Sequence, residues 1–432
     1  MENQSELTNM TSGKQESRHG SRKAINLIML IGGFGAGQGS IFLAQTLLIS
    51  QGKLELLTKF GTSFSFAILA LMLVEAGSIT ILARLVAKSA GTIGAEQKVW
   101  ISYSETSAFR FTISIIVLLL IWLLCASSVL DEFSQRYAVY AAPAYLVWSV
   151  NAAGILDGLK LSGVSGVVGS IAYISSAIAL IIVSNSVEID AAKVLGAAFS
   201  IGYLLTVYFQ ILALRRFGWN VKFRRVSLKG CVAAAKSGSA MLGSSLPGQF
   251  YFRAQLIISN AFIGVTGTAL FVYGSQVIAA IAQMIGFIRR VEFPTLVVAL
   301  TKNRSSIVLT ILREQRVGLL LALISFLVLL LVGLGGHFYQ PEFLSGATLV
   351  LSAYSPTIFT SAIALTCVQG FAAIGRYQSI TLVTISSAIV GVVASYYSTQ
   401  HIGVYGFAIS NIASNVVSVL LSIYLLSRIE NK

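Results

Sequence analysis

Charge is what this sequence has little of. Only 11% of its 432 residues are Asp, Glu, Lys or Arg, while 56% are hydrophobic. A mean hydropathy of +0.82 places the chain outside the soluble globular class, and a single core of soluble type is excluded. Histidine is scarcer still: His19 falls in a polar tail, and His337 and His401 fall in or near polar breaks. No histidine therefore sits amid the apolar runs with a nucleophile or at metal-ligand spacing. The three cysteines, Cys125, Cys231 and Cys367, lie far apart, with no CxxC pair and no even-numbered framework, so neither a metal centre nor a disulfide scaffold is indicated. No outer loop exceeds about 15 residues between the apolar runs, which leaves no room for a soluble catalytic domain. The expectation is a protein that is not an enzyme and has no cofactor and no metal.

What is present is length of apolar chain. A bilayer core takes about 20 apolar residues per helical crossing, and runs of that size recur near 24–48, 60–82, 109–129, 137–158, 163–183, 194–214, 238–262, 268–288, 317–334, 347–368, 379–396 and 404–426. The fold class expected is all-α and polytopic, with about twelve transmembrane helices. The first run is too long for a signal-peptide core and lacks a clear small-residue cleavage site, so it reads as the first span.

The net charge of +14 does not mark a nucleic-acid partner. The basic residues sit in short loops at alternate faces rather than on one stripe, which is how orientation in a membrane is encoded. With a cytoplasmic N-terminus, 25 of the 30 Lys and Arg residues fall inside; Lys53, Lys59, Arg136 and Lys193 fall outside, and Arg253 lies within a span. Both termini are therefore expected in the cytoplasm, with the chain a multi-pass protein of the cell (inner) membrane and lipids as its solvent.

The most basic loop runs from Arg215 to Lys236 without one acidic residue and joins two six-helix halves. The expected organisation is a cytoplasmic tail 1–23, an N-terminal lobe 24–214, a basic cytoplasmic linker 215–237, a C-terminal lobe 238–426 and a short cytoplasmic tail 427–432. A weak internal echo supports the halves. Gly37-Gln38, Ala44-Gln45 and Ser50 recur as Gly248-Gln249, Ala254-Gln255 and Ser259, at offsets of 209 to 211.

In repeat-built transporters, Gly- or Pro-interrupted segments at matching positions of the two halves point to the substrate site. Here the pair is Gly32 to Gly39 in the first span and Gly243 to Gln249 in the seventh. Gly35, Gly37, Gly39, Pro247 and Gly248 are candidate hinges, because glycine weakens a helix and proline removes a backbone donor. The alternative is close packing, since Gly33 to Gly37 and Gly35 to Gly39 both fit GxxxG spacing. Arg253 is the leading substrate-binding candidate: an intramembrane cation needs a wet cavity or a partner, and an anionic ligand would supply one. Its alternative is snorkelling to the headgroups. Gln38, Gln45 and Gln249 add amides for substrate binding, with interhelical hydrogen bonding as their alternative, and Gln255 shares that choice. Glu75 is either an ion-coupling carboxylate or the partner of a basic residue. Asp157, three residues before Lys160, suggests an interfacial ion pair. The loop 289–316 mixes Arg289 and Arg290 with Phe293, Leu296, Val297 and Leu300, and reads either as an amphipathic segment on the inner leaflet or as a plain positive-inside loop.

Twelve spans in two halves, the GxGQG pattern at 35–39, Glu75-Ala76-Gly77 followed by Ala83-Arg84, and Arg253 in the seventh span resemble the polysaccharide-exporter branch of the multidrug/oligosaccharidyl-lipid/polysaccharide superfamily. In particular, the chain is similar to bacterial Wzx-type flippases of O-antigen and exopolysaccharide synthesis. That resemblance implies translocation of an undecaprenyl-pyrophosphate-linked oligosaccharide to the outer leaflet, by alternating access around a cationic cavity to which Arg253 would belong. It also implies work beside a polysaccharide polymerase and a chain-length regulator. The first span departs from this picture, with no charged residue from Ala24 to Ser50. Two rival readings stand beside it. A cation-coupled drug or metabolite antiporter of the same superfamily would need more membrane carboxylates, and a membrane-embedded polymerase or transferase would need a long outer loop or clustered His, Asp and Arg.

Overall fold

The computed structural model describes the backbone of residues 2–430 apart from 52, 90, 91, 93, 128, 303–305, 340 and 341. It describes side chains from residue 24, leaving out in addition 49, 50, 54, 58, 188, 245, 265, 266, 269, 337–339 and 342–345. The side chains of His19, Ser50 and His337 thus lie outside the described residues. Among the described residues every regular element is a helix.

The chain divides into two compact units, Met1–Ala235 and Lys236–Lys432. The first holds α1 (Glu2–Ser50), α2 (Leu54–Glu75), α3 (Ser78–Ser89), α4 (Ala95–Ala126), α5 (Glu132–Trp148), α6 (Ala153–Gly158), α7 (Ser162–Ile182), α8 (Glu188–Arg216) and the start of α9 (Leu228–Phe262). The second holds the rest of α9, then α10 (Gly264–Lys302), α11 (Ile307–Glu314), α12 (Arg316–Tyr339), α13 (Glu342–Ile374), α14 (Tyr377–Ile402) and α15 (Tyr405–Glu430).

Ten helical segments among the described residues are long and apolar enough to cross a membrane, which makes this a polytopic membrane fold. The expected spans at 137–158 and 238–262 are helical too, but fall outside those ten. The first is divided, α5 ending at Trp148 and α6 starting at Ala153. The second, within α9, carries Gln249, Arg253 and Gln255.

The first unit has two apolar cores. One gathers Phe60, Leu71, Val74, Phe133, Tyr137, Leu180 and Phe199; the other gathers Leu82, Val86, Trp100, Tyr103, Ile155, Leu156 and Leu214. Along α2–α3 and along α5–α6, the chain passes from one core to the other at a helix interruption. Between α2 and α3 both Ala76 (φ 46°) and Gly77 (φ 64°) take left-handed backbone, which ends α2. Glycine tolerates this conformation, whereas alanine is strained in it by about 1–2 kcal/mol. Between α5 and α6 the turn spans Ser149–Ala152. Past these points α3 and α6 pack backbone to backbone. A Cβ on Gly154 would lie 2.5 Å from the Ile79 carbonyl oxygen, and one on Gly158 would lie 2.5 Å from Val86 Cβ.

In the second unit α13 packs against α10, α12 and α15. The expected loop 289–316 is corrected here. α10 runs on to Lys302, and Arg289, Phe293, Leu296, Val297 and Leu300 are buried in the unit. Helical continuation turns these apolar residues into core rather than a membrane-lying face. Only α11, with Ile307 and Ile311 buried and Leu309 exposed, keeps an amphipathic character.

Candidate functional site

The first unit is organised around a cation that charge counting assigns to an inner loop. α4 begins at Ala95, so Arg110 lies at its middle rather than before it, and its side chain is completely buried. One terminal nitrogen of its guanidinium, Nη1, donates to Ser78 Oγ at 3.2 Å and to the Asn151 carbonyl at 3.0 Å; Nη2 donates to Ser107 Oγ at 3.2 Å. Ser78 is the first residue of α3, and Asn151 lies in the α5–α6 turn. Arg110 therefore ties both helix interruptions together.

Other side chains complete the second interruption. Tyr103 donates to the Val150 carbonyl at 2.5 Å, Gln210 accepts from the Ala152 amide at 2.9 Å, and Asn151 Oδ1 accepts from the Ala153 amide at 2.8 Å. Irregular backbone at membrane depth persists only where its polar groups are satisfied in this way. Glu75, half-buried at the end of α2, lies within electrostatic reach of Arg110, Tyr173 and Tyr203. Of its two expected roles, partner of a basic residue is the one with a neighbour on hand.

The glycines of α1 divide between two faces. A Cβ on Gly33 would meet Gly166 and Val167 backbone at 2.7 Å, and one on Gly37 would meet Ser170 at 3.3 Å, so both sit against α7; at Gly35 and Gly39 a Cβ would meet open space. α1 passes through all of them unbroken, and α9 passes unbroken through Pro247 and Gly248. In the first unit the chain is interrupted at 76–77 and 149–152, while the helices are continuous at the expected hinges, and Gly37 packs against α7. Gln38 is exposed on α1 and Gln45 half-buried.

In the second unit, a cavity of about 340 Å³ is lined by Ser244, Gly248, Tyr251, Thr357, Ser361, Thr384, Ser387, Asn411, Ser414, Asn415, Ser418 and a few apolar side chains. None of its lining residues is charged. Tyr251 donates to Asn411 Oδ1 at 2.7 Å, while the buried Gln255 Nε2 donates to Tyr251 Oη at 2.9 Å and to Ser395 Oγ at 3.2 Å. Gln255 thus serves as an interhelical bond joining α9, α14 and α15. Asn415 donates to Thr360 Oγ1 at 3.1 Å.

Arg253 does not line this cavity. It is exposed and borders a separate groove of about 770 Å³ between α9 and α14, with Pro247, Phe250, Ile257, Ile385, Ile389 and Val393. Gln249 is exposed as well. Tyr251 lines both the groove and the polar cavity, so it stands between Arg253 and the polar groups of that cavity. A second buried cation missed in the sequence is Arg289, which donates to the Ala362 carbonyl at 2.6 Å and has Glu292 as its charged neighbour.

The chain is similar to solved structures of MATE proteins. Over 95% of this chain and 97% of theirs, the chain is similar to a MATE protein in the straight conformation, with TM-score 0.70 and 14% identity. Similarity to an outward-facing multidrug resistance MATE family transporter of the MOP superfamily gives TM-score 0.69 at 16% identity, over 95% of this chain and 96% of that one. The Vibrio cholerae MATE transporter VcmN in its bent form gives TM-score 0.69 at 13% identity, over 95% and 99%. The fold is that of the MATE transporters. No protein-family model and no curated protein sequence matches the chain. At this identity the MATE likeness concerns the fold, and it leaves the polysaccharide-exporter branch as a matter for proposal.

Proposed function

We propose that this protein is a transporter working by alternating access, and that its cargo is a lipid-linked oligosaccharide pyrophosphate moved from the inner to the outer leaflet. The MATE fold supports the transport part. The observation that carries the choice of cargo is that cations stand near membrane carboxylates: Arg110 is within electrostatic reach of Glu75, and Arg289 of Glu292. A cation-coupled antiporter uses intramembrane carboxylates to hold its ion or cationic drug. Here the cations compete for that role. The cavity in the second unit has no charged lining residue and sets hydroxyl and amide groups in a mostly apolar wall, which offers partners to sugar hydroxyls and no counter-charge to a cationic drug. Arg253, exposed in the span, would meet the pyrophosphate. Polymerase and chain-length proteins would act on the delivered unit.

The test is the fate of lipid-linked glycan in cells lacking the protein. Loss of surface polysaccharide with the precursor accumulating on the inner face supports the flippase. Intact polysaccharide with increased drug sensitivity would replace it by the antiporter of the same superfamily, and unpolymerised units on the outer face would point to a polymerase.

A further inference from the structure

We infer that the basic end of the first unit holds a binding site for a phosphate group, independent of the cargo proposed above. A cavity of about 730 Å³ there is lined by Ser89, Thr92, Glu96, Lys160, Lys222 and Arg224, walled by Trp100 and Trp219. Its charged side chains are three cations and one carboxylate. The carboxylate is already engaged, since Glu96 accepts from Trp100 Nε1 at 3.1 Å and faces Lys222 Nζ at 3.5 Å. The lining thus carries more cations than carboxylates, with two hydroxyls beside them, which is the chemistry of a phosphate mono- or diester.

Two features show that the cations are positioned rather than merely present. Lys160 occupies the left-handed position (φ 63°) that ends α6, and its amide bonds Asp157 O while Leu161 N bonds Leu156 O. This is the helix-ending turn in which glycine is the favoured residue. A lysine there is strained. Asn26 fixes the turn from α1, donating to Lys160 O at 2.6 Å and accepting from Gly163 N at 3.3 Å. Lys222 and Arg224 belong to the segment 217–227, which follows α8 and is strapped along α4. The Arg224 amide donates to Ser104 Oγ at 2.8 Å, Ser227 donates to Glu105 Oε1 at 2.6 Å, and Trp219 and Phe223 stack against Trp100 and Tyr103. The expected basic linker is thus a built wall of the cavity.

The phosphate could belong to a soluble compound or to a lipid headgroup. Phe217, Phe223 and Val226 on the same strap, and Leu228 just after it, are exposed, as a segment lying at a lipid surface requires.

The experiment uses the full chain purified in detergent. Quenching of tryptophan fluorescence, in a Trp122→Phe, Trp148→Phe background that leaves Trp100 and Trp219 as reporters, is measured against brominated phosphatidylglycerol and brominated phosphatidylcholine, and thermal stabilisation is measured against inorganic phosphate. Lys160→Gly with Arg224→Gln is the test variant. Lys160→Gly alone serves as folding control and should melt no lower than wild type, because it relieves the left-handed backbone. At about one factor of five per basic residue near a phosphate surface, the double variant should bind about thirtyfold more weakly. Preference for phosphatidylglycerol lost in the double variant supports a lipid phosphate, and stabilisation by inorganic phosphate lost in it supports a soluble one. Equal response to the two lipids with no effect of phosphate, or a double variant that responds like wild type, overturns the site.

Discussion

Arg110 reaches across the first unit to the carbonyl of Asn151, 3.0 Å away, and so closes a gap that the turn between α5 and α6 opens in the backbone. Because the same nitrogen also meets Ser78 at the head of α3, the two interruptions share one cation. Beyond them, α3 and α6 are locked by the absence of side chains on Gly154 and Gly158. The region past the interruptions is therefore built to move, if it moves, as one block.

Replacing Arg110 tests this. Arg110→Gln leaves buried acceptors unsatisfied and should lower stability on the order of 3 kcal/mol. Arg110→Lys keeps the charge without the planar fork, so it should recover only part of that loss. Thermal unfolding of the purified protein in detergent gives the answer. Wild-type melting of Arg110→Gln would dismiss the clamp.

The two glycine faces of α1 make opposite predictions for the same substitution. Gly33→Ala must push α7 away and should cost about 1–3 kcal/mol. Gly35→Ala and Gly39→Ala meet open space and should be neutral or gain up to about 1 kcal/mol from helix propensity. Equal effects on melting at all three positions would mean that the α1–α7 packing is wrong.

Tyr251 joins the cavity of the second unit to its helix-binding network. Tyr251→Phe removes the donor to Asn411 and the acceptor for Gln255, with an expected cost of about 1–3 kcal/mol. If the cavity holds glycan, transport should fall further than the stability loss accounts for. A transport rate that simply follows the amount of folded protein would make Tyr251 structural only.

How much of this was legible follows from what periodic hydrophobicity can and cannot carry. The span expected at 163–183 is α7, Ser162–Ile182, because apolar length is written directly in composition. Arg110 and Arg289 were hidden for the converse reason. A positive-inside count reads any cation beside an apolar run as loop, although no Gly or Pro separates Ala95 from Ala126 and the helix had every reason to continue. Glu75-Ala76-Gly77 stood out as a pattern, yet its meaning as a break depends on consecutive left-handed residues that no spacing rule supplies. The Ser149–Ala152 turn lacks both Gly and Pro. Its signal is the side chains that satisfy it, from α4 and α8, and these are distant in sequence.

Arg253 remains the sharpest single test of the cargo. It is exposed on α9, bordered by Phe250, Ile257 and Ile389, so its removal should leave insertion and melting unchanged. Surface substitutions of this kind typically stay within about 0.5 kcal/mol. If its guanidinium meets the pyrophosphate, Arg253→Ala should cut transport at least about tenfold, the scale of one lost charge-assisted contact. Arg253→Lys should restore part of the rate, because a point charge still attracts phosphate but lacks the two-pronged fit. The measurement is the rate at which lipid-linked glycan reaches the outer leaflet in cells producing each variant at equal level. Full transport by Arg253→Ala would assign the side chain to the headgroup region and shift attention to the hydroxyl-lined cavity as the place where cargo is recognised.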